Sequence, residues 1–179
     1  MNLANKLTLL RIILIPLFMI FALTDYPFGR FWAAVVFGLA AATDGLDGYV
    51  ARKRREVTNL GKLLDPLADK LLVAAALITM TELGRIPSWI TIVIIGREFL
   101  ITGMRGVASA EGIIIAANKL GKTKTVLQIV ALSMVILDDY LIQYIGFSPG
   151  MWVLYVAVVF TVVSGVEYLL KAFAMIKMT

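Results

Sequence analysis

The sequence predicts an all-α, polytopic membrane protein with six transmembrane helices. Of its 179 residues, 60% are hydrophobic and 16% are charged, whereas soluble domains are about 45–50% apolar and about 25% charged. A soluble protein of this length could not bury so much apolar surface. A disordered chain would be poorer in aliphatic side chains and richer in charge. Lipid must therefore solvate the excess apolar surface.

Each predicted helix is an apolar run of about 20 residues, which is the length needed to cross a bilayer. The runs end at charged residues or at turns rich in glycine and proline, such as those at 26–29, 84–88 and 146–150. Residues 1–7 are expected to form a short interfacial segment, and the whole chain, 1–179, is expected to form one domain. The predicted helices are 8–24, 31–52, 60–81, 86–108, 120–144 and 151–174.

Lysine and arginine residues are concentrated in alternate loops. Only Arg30 and Arg85 fall on one side of the predicted membrane, whereas the other side receives both termini and the loops at 52–62 and 105–124. By the positive-inside rule, both termini should be cytoplasmic, in a multi-pass protein of the cell membrane. The net charge of +5 then faces anionic headgroups or a phosphorylated substrate, and no nucleic-acid partner is expected.

The chain contains neither cysteine nor histidine. Disulfides, thiolate nucleophiles, thiolate metal sites and imidazole bases are therefore excluded. Any catalysis must use carboxylates, lysine, arginine or hydroxyl groups.

Four aspartates lie inside the second and third predicted helices: Asp44, Asp47, Asp65 and Asp69. A charged side chain at mid-membrane costs about 2.5–3.5 kcal/mol even on a lenient insertion scale, so the four require compensation. The pairs are spaced i, i+3 and i, i+4, which places each pair on one helical face. The helices are joined by a short turn, so all four carboxylates can converge. Such an all-oxygen site suits Mg²⁺ or Mn²⁺.

Small and basic residues follow the first aspartate pair on the same helix. Gly48 and Ala51 leave room for a flat group, although they are equally typical of helix packing. Arg52 at the membrane edge could bind a phosphate with two hydrogen bonds.

These residues resemble the signature of the CDP-alcohol phosphatidyltransferase family, D-x-x-D-G-x-x-A-R-(x)8-G-x-x-x-D-x-x-x-D. Every fixed position from Asp44 to Asp69 is filled, and the spacer at 53–60 has the expected length. The segment 5–11 is similar to the family's N-x-x-T-x-x-R element. Members have six transmembrane helices and are usually homodimers.

The resemblance implies two Mg²⁺ or Mn²⁺ ions per active site, held by the four aspartates. It implies that Asp69 is the general base, and that the donor, CDP-diacylglycerol, loses CMP when an alcohol hydroxyl attacks its lipid-side phosphorus. The donor-binding residues it implies are Asn5, Thr8, Gly48, Ala51, Arg52 and Thr58.

Basic residues near the cytoplasmic side are candidates for binding a phosphorylated acceptor. Arg97 and Arg105 share a helical face, and Lys122 and Lys124 begin the next helix from the same side. Alternatively, Glu98 pairs with Arg97 or a lysine, and the other charges only set topology.

The segments 64–70 and 96–105 resemble the branch of the family whose acceptor is sn-glycerol 3-phosphate and whose product is phosphatidylglycerophosphate. Inositol phosphate, inositol and serine are alternative acceptors. A prenyltransferase or a divalent cation transporter could also use intramembrane aspartates, although transport sites are expected near the midplane. Asp138 and Asp139 should be in water at the outer membrane surface, and Glu167 should lie deeper, paired with a lysine or at an interface.

Overall fold

A computed structural model describes residues 3–54, 59–110 and 119–176. Within these ranges, the side chains at 3–5, 44–54, 59–66, 110, 119–120, 122 and 173–176 lie outside the description. All regular secondary structure in the described ranges is α-helical, which confirms the predicted all-α class. The helices are α1 (Leu3–Leu23), α2 (Gly29–Arg54), α3 (Asn59–Glu82), α4 (Ser88–Ala110), α5 (Lys119–Ile136), α6 (Asp138–Ile145) and α7 (Pro149–Ile176).

Two sequence predictions differ from the observed helices. The run at 120–144 is not one helix, because α5 ends at Ile136 and α6 leaves it at 77°. Leu137, at the break, has φ −92° and ψ 5°, outside helical geometry. Residues 3–7 form the first turns of α1 and are not a separate segment. The other predicted helices match the observed ones to within a few residues, apart from this extended start.

The predicted turns separate helices as expected. At the end of α3, the amides of Arg85 and Ile86 both donate to the carbonyl of Met80, and Gly84 adopts φ +68°. Positive φ is strained for residues with a Cβ, so glycine suits this tight reversal. The chain therefore returns antiparallel after α3.

The buried apolar core of the described part is concentrated at one end of the bundle. We call this the core end; it lies where α1, α3 and α5 finish and α2, α4 and α7 begin. Phe18 and Phe37 pack there with ring centroids 5.7 Å apart. Each of these helices contributes fully buried aliphatic or aromatic side chains to this core, such as Phe18, Phe37, Leu77, Ile90, Leu132 and Leu154.

The outer surface of the bundle is apolar. Large hydrophobic side chains are exposed along α1, α4 and α7, as expected for contact with lipid. The segments Lys6–Leu23 and Pro149–Ala172 are long and apolar enough to cross a membrane, and α5 with α6 would make a third if counted as one bent span. These findings support a membrane protein with two or three candidate spans among the described residues.

Three charged residues at the core end form salt bridges. Asp139 of α6 forms salt bridges with Arg30 of α2 and with Arg85 between α3 and α4, the latter at 2.5 Å. The sequence had suggested that Asp138 is in water, but it is buried, with only 4% of its surface exposed. One of its carboxylate oxygens accepts a 2.5 Å hydrogen bond from Ser148 Oγ. The pairing of Asp138 with Ser148 ties α6 to the start of α7.

Candidate functional site

Charged side chains gather at the opposite end of the bundle, which we call the charged end. It is built by α3, α4, α5 and α7, and it lies beyond the apolar core. Its described charged residues include Asp69, Lys70, Arg97, Glu98, Arg105 and Lys124.

Glu98 is the centre of an ion-pair cluster within the charged end. Its Oε1 forms a salt bridge with Lys124 Nζ of α5 and lies 3.2 Å from Arg97 Nη1. Lys124 is only 4% exposed, so its ammonium needs a nearby anion. The alternative in which Glu98 pairs with Arg97 or a lysine is therefore present. The Glu98 carboxylate contacts both Arg97 and Lys124, two of the predicted acceptor-binding cations.

Arg97 also lies against α7. Its Nη2 donates a 3.2 Å hydrogen bond to Ser164 Oγ, and its aliphatic stem crosses Gly165, where an added Cβ would lie 3.1 Å from Arg97 Cγ. Ser164 in turn donates to the carbonyl of Thr161 at 3.1 Å. The guanidinium is thus fixed by contacts with two helices.

Arg105 contacts α7 one turn further along that helix. Its Nε donates a 3.2 Å hydrogen bond to Tyr168 Oη, and its Cζ lies 5.2 Å from the Tyr168 ring centroid, a distance typical of a cation–π contact. The Tyr168 ring is buried beside Ile101 and Ala172, while Arg105 itself is exposed. A rigid aromatic platform therefore supports an accessible cation.

A buried hydrogen bond joins α5 to α7 behind this cluster. Gln128 Nε2 donates to Thr161 Oγ1 at 2.9 Å, and Gln128 lies one helical turn from Lys124. The side chains of Gln128 and Thr161 are almost fully buried. Because an unsatisfied buried amide or hydroxyl would be costly, this bond helps to fix the relative position of the two helices.

Asp69, the predicted base, lies at the same end. Its half-buried carboxylate interacts electrostatically with Lys70 and Lys124. The structure therefore brings Asp69 close to the cation cluster predicted to bind the acceptor.

The remaining signature positions are described by backbone only or lie outside the described residues. The backbone of α2 is helical through Asp44, Asp47, Gly48, Ala51 and Arg52, and that of α3 is helical through Asp65. The predicted i, i+3 and i, i+4 spacings therefore lie on continuous helices. The side chain of Lys122 and all of Thr58 lie outside the described residues, as does the side chain of Asn5.

The N-terminal element contributes two buried polar residues to this region. Thr8 and Arg11 are fully buried on α1, and Arg11 Nε donates to Thr43 Oγ1 at 3.5 Å. Thr43 directly precedes Asp44, so α1 contacts α2 where the signature begins.

The donor chemistry of the signature fits a hard divalent cation, since it offers carboxylate oxygens and neither imidazole nor thiolate. Among residues with described side chains, no group of three carboxylates is close enough to hold a metal ion. The side chains of Asp44, Asp47 and Asp65, three of the four predicted metal ligands, lie outside the described residues. The metal site therefore stays a prediction.

Sequence reasoning missed the residues of α7 that contact the arginines. Ser164, Gly165 and Tyr168 stand in an apolar run, where small residues usually signal helix packing. The only available signal was their spacing, which places them on one helical face. Glu167 was expected to pair with a lysine or to lie at an interface; it pairs with Lys171 at 2.5 Å.

The apolar outer surface of the helical bundle indicates a membrane protein, and the carboxylates and cations gathered at one end indicate a polar site there. Comparison with known proteins identifies the class more closely. The model of the CDP-alcohol phosphatidyltransferase family matches residues 1–163. The chain therefore belongs to this family of membrane enzymes.

Several curated relatives match nearly the whole chain. The CDP-diacylglycerol--glycerol-3-phosphate 3-phosphatidyltransferase of Bacillus subtilis (strain 168) is 47% identical, over 98% of this chain and 97% of its own length. The protein of the same name from Rickettsia bellii is 37% identical over 93% of each chain. A probable phosphatidylglycerophosphate synthase of Mycobacterium tuberculosis is 35% identical over 96% of this chain and 81% of its own.

Proposed function

We propose that the protein transfers the phosphatidyl group of CDP-diacylglycerol to sn-glycerol 3-phosphate, giving phosphatidylglycerophosphate and CMP. The observation that carries this proposal is the 47% identity, over almost the full length of both chains, to a relative named for this reaction. The cation cluster at the charged end supports a phosphorylated acceptor, because Arg97, Arg105 and Lys124 come from two helices and converge there.

The donor would bind to the signature. Asp44, Asp47, Asp65 and Asp69 would hold two Mg²⁺ or Mn²⁺ ions, which when bound would neutralise the diphosphate and the developing negative charge on CMP. The remaining donor contacts would come from the two signature helices and the N-terminal element, through Asn5, Thr8, Gly48, Ala51, Arg52 and Thr58.

In the transfer, Asp69 would accept the proton of the attacking acceptor hydroxyl. The hydroxyl oxygen would form a bond to the lipid-side phosphorus of the donor, and the bond from that phosphorus to the oxygen bridging to CMP would break. A carboxylate is a weak base near cations, so correct placement of the acceptor would supply much of the rate. Arg97, Arg105, Lys122 and Lys124 would place it by binding its phosphate.

We further propose six spans, with both termini and the charged end at the cytoplasmic side of the cell membrane. The positions of aromatic residues support this arrangement. The three tryptophans, Trp32, Trp89 and Trp152, are all exposed near the core-end termini of α2, α4 and α7, as in an interfacial aromatic belt. Arg30 and Arg85, the two arginines assigned to the outer side, lie together at that end on Asp139. A homodimer is proposed from the family resemblance.

A CMP-release assay on purified protein would test this function. The assay would offer CDP-diacylglycerol with glycerol 3-phosphate, inositol phosphate, inositol or serine, and mass spectrometry would identify each product. We expect turnover with glycerol 3-phosphate to exceed turnover with every other acceptor. Turnover with inositol phosphate alone would support a binding site for a phosphorylated acceptor but would reject glycerol 3-phosphate as that acceptor.

The metal requirement has a separate test. Chelation with EDTA should abolish CMP release, and added Mg²⁺ or Mn²⁺ should restore it, whereas Ca²⁺ should restore less because it favours larger, more flexible coordination. Full activity after exhaustive chelation would contradict a metal-dependent transfer.

A further inference from the structure

Both arginines of α4 that are proposed to bind the acceptor phosphate contact neighbouring residues of α7. Ser164, Gly165 and Tyr168 lie at positions i, i+1 and i+4 of that helix. We propose that this face positions Arg97 and Arg105 and thereby sets the affinity and selectivity for the phosphorylated acceptor. The inference rests on the proposed function, in which these arginines bind the acceptor phosphate.

The contacts around Arg97 fix the plane of its guanidinium. Nη2 is bonded to Ser164 and Nη1 to Glu98, both at 3.2 Å, and the stem lies against the backbone of Gly165. A guanidinium carries its five N–H groups in a rigid fork. Two fixed contacts therefore determine the direction in which its remaining donors point.

The small size of Gly165 lets the stem of Arg97 lie close to α7. A Cβ there would lie 3.1 Å from Arg97 Cγ and 3.5 Å from Arg97 Nε, whereas carbon atoms in contact are about 3.5–4.0 Å apart. Alanine at this position would crowd the stem of Arg97, so the side chain must shift by a few tenths of an ångström.

Tyr168 acts on Arg105 in a similar way. The exposed arginine would otherwise sample many rotamers, and ordering such a side chain on binding costs affinity. The hydrogen bond to Tyr168 Oη and the contact with its ring restrict it before the acceptor arrives. The α7 face thus preorganises both cations.

Steady-state kinetics on the purified full-length protein would test the proposal. The variants are Gly165→Ala, Ser164→Ala and Tyr168→Phe, and the control is Gly38→Ala, because a Cβ at Gly38 meets nothing within 4 Å. We expect each α7 variant to raise the KM for glycerol 3-phosphate by about 5- to 10-fold, about the effect of losing one typical intramolecular hydrogen bond. The KM for CDP-diacylglycerol should stay within about twofold.

The two substrates distinguish positioning from general damage. Equal changes in both KM values, or a fall in kcat alone, would overturn the proposal, as would unchanged acceptor KM values in all three variants. Ser164→Ala and Tyr168→Phe remove atoms and cannot clash, so they decide the question if Gly165→Ala does not fold. Absence of wild-type turnover with glycerol 3-phosphate would instead reject the proposed function itself.

Discussion

Gly150→Ala should destabilise the protein by separating α5 from α7 at the core end. A Cβ at position 150 would lie 2.6 Å from the backbone nitrogen of Val135 and 2.8 Å from the carbonyl carbon of Met134. Reaching a normal separation of about 3.5 Å requires the helices to move apart by almost 1 Å. Backbone atoms cannot rotate away as a flexible side chain can, so the whole helix pair must shift.

The expected cost is about 2 kcal/mol, within the 1–3 kcal/mol typical of overpacking a core. This corresponds to a roughly 30-fold fall in the ratio of folded to unfolded protein. Gly150 is the second residue of α7, so alanine gains little there from its higher helix propensity. At Gly38, inside α2 and with open space around it, the same substitution should stabilise by up to about 1 kcal/mol.

Unfolding in mixed micelles, followed by tryptophan fluorescence, would measure both variants. All three tryptophans lie at the core end, and Trp152 is two residues from Gly150, so the signal reports on the perturbed region. Gly150→Ala should unfold at a lower denaturant fraction than wild type, and Gly38→Ala at an equal or higher one. A Gly150→Ala midpoint equal to that of wild type would refute the close helix approach.

Three further substitutions have distinct expected outcomes. Asp69→Asn should reduce CMP release at least about 100-fold at saturating Mg²⁺ while the protein stays folded; near-normal turnover would remove Asp69 as the base. Arg105→Ala should mainly raise the KM for glycerol 3-phosphate and spare CDP-diacylglycerol, and an unchanged acceptor KM would contradict its role. Asp139→Asn should cost no more than about 1 kcal/mol in micelle unfolding, because its pairs with Arg30 and Arg85 are partly exposed; a loss above about 3 kcal/mol would show that the cluster holds the fold together.

Helix positions were predictable because hydrophobic length and turn residues set them. The turns at Gly84 and Gly146 adopt positive φ, as their glycines suggested. The break at Leu137 was not predictable in the same way, since no glycine or proline interrupts the sequence from 122 to 145. It depends on tertiary contacts, in particular the burial of Asp138 against Ser148.

The residues of the candidate site were predictable where a charged side chain stands inside an apolar helix. Arg97 and Asp69 stand inside predicted membrane helices, where an unpaired charge is costly, and the structure places both near Lys124 at one end. Ser164 and Gly165 carry no such signal, because a small residue in an apolar helix has many ordinary uses. Their importance depends on which side chain of another helix reaches them, and a single sequence does not contain that information.

The separation of the core end from the charged end has a consequence for how this chain can change. Tight packing at Phe18, Phe37 and Leu132 maintains the fold at the core end, while the ion-pair cluster around Glu98 lies at the charged end. Exposed cations such as Arg105 can therefore be replaced with little loss of folding free energy, because surface substitutions cost little and distant sites contribute almost additively. The buried Lys124 cannot, because its loss would leave Glu98 without its partner. A chain arranged in this way can vary at the exposed positions of its charged end while the packing of the core end remains unchanged.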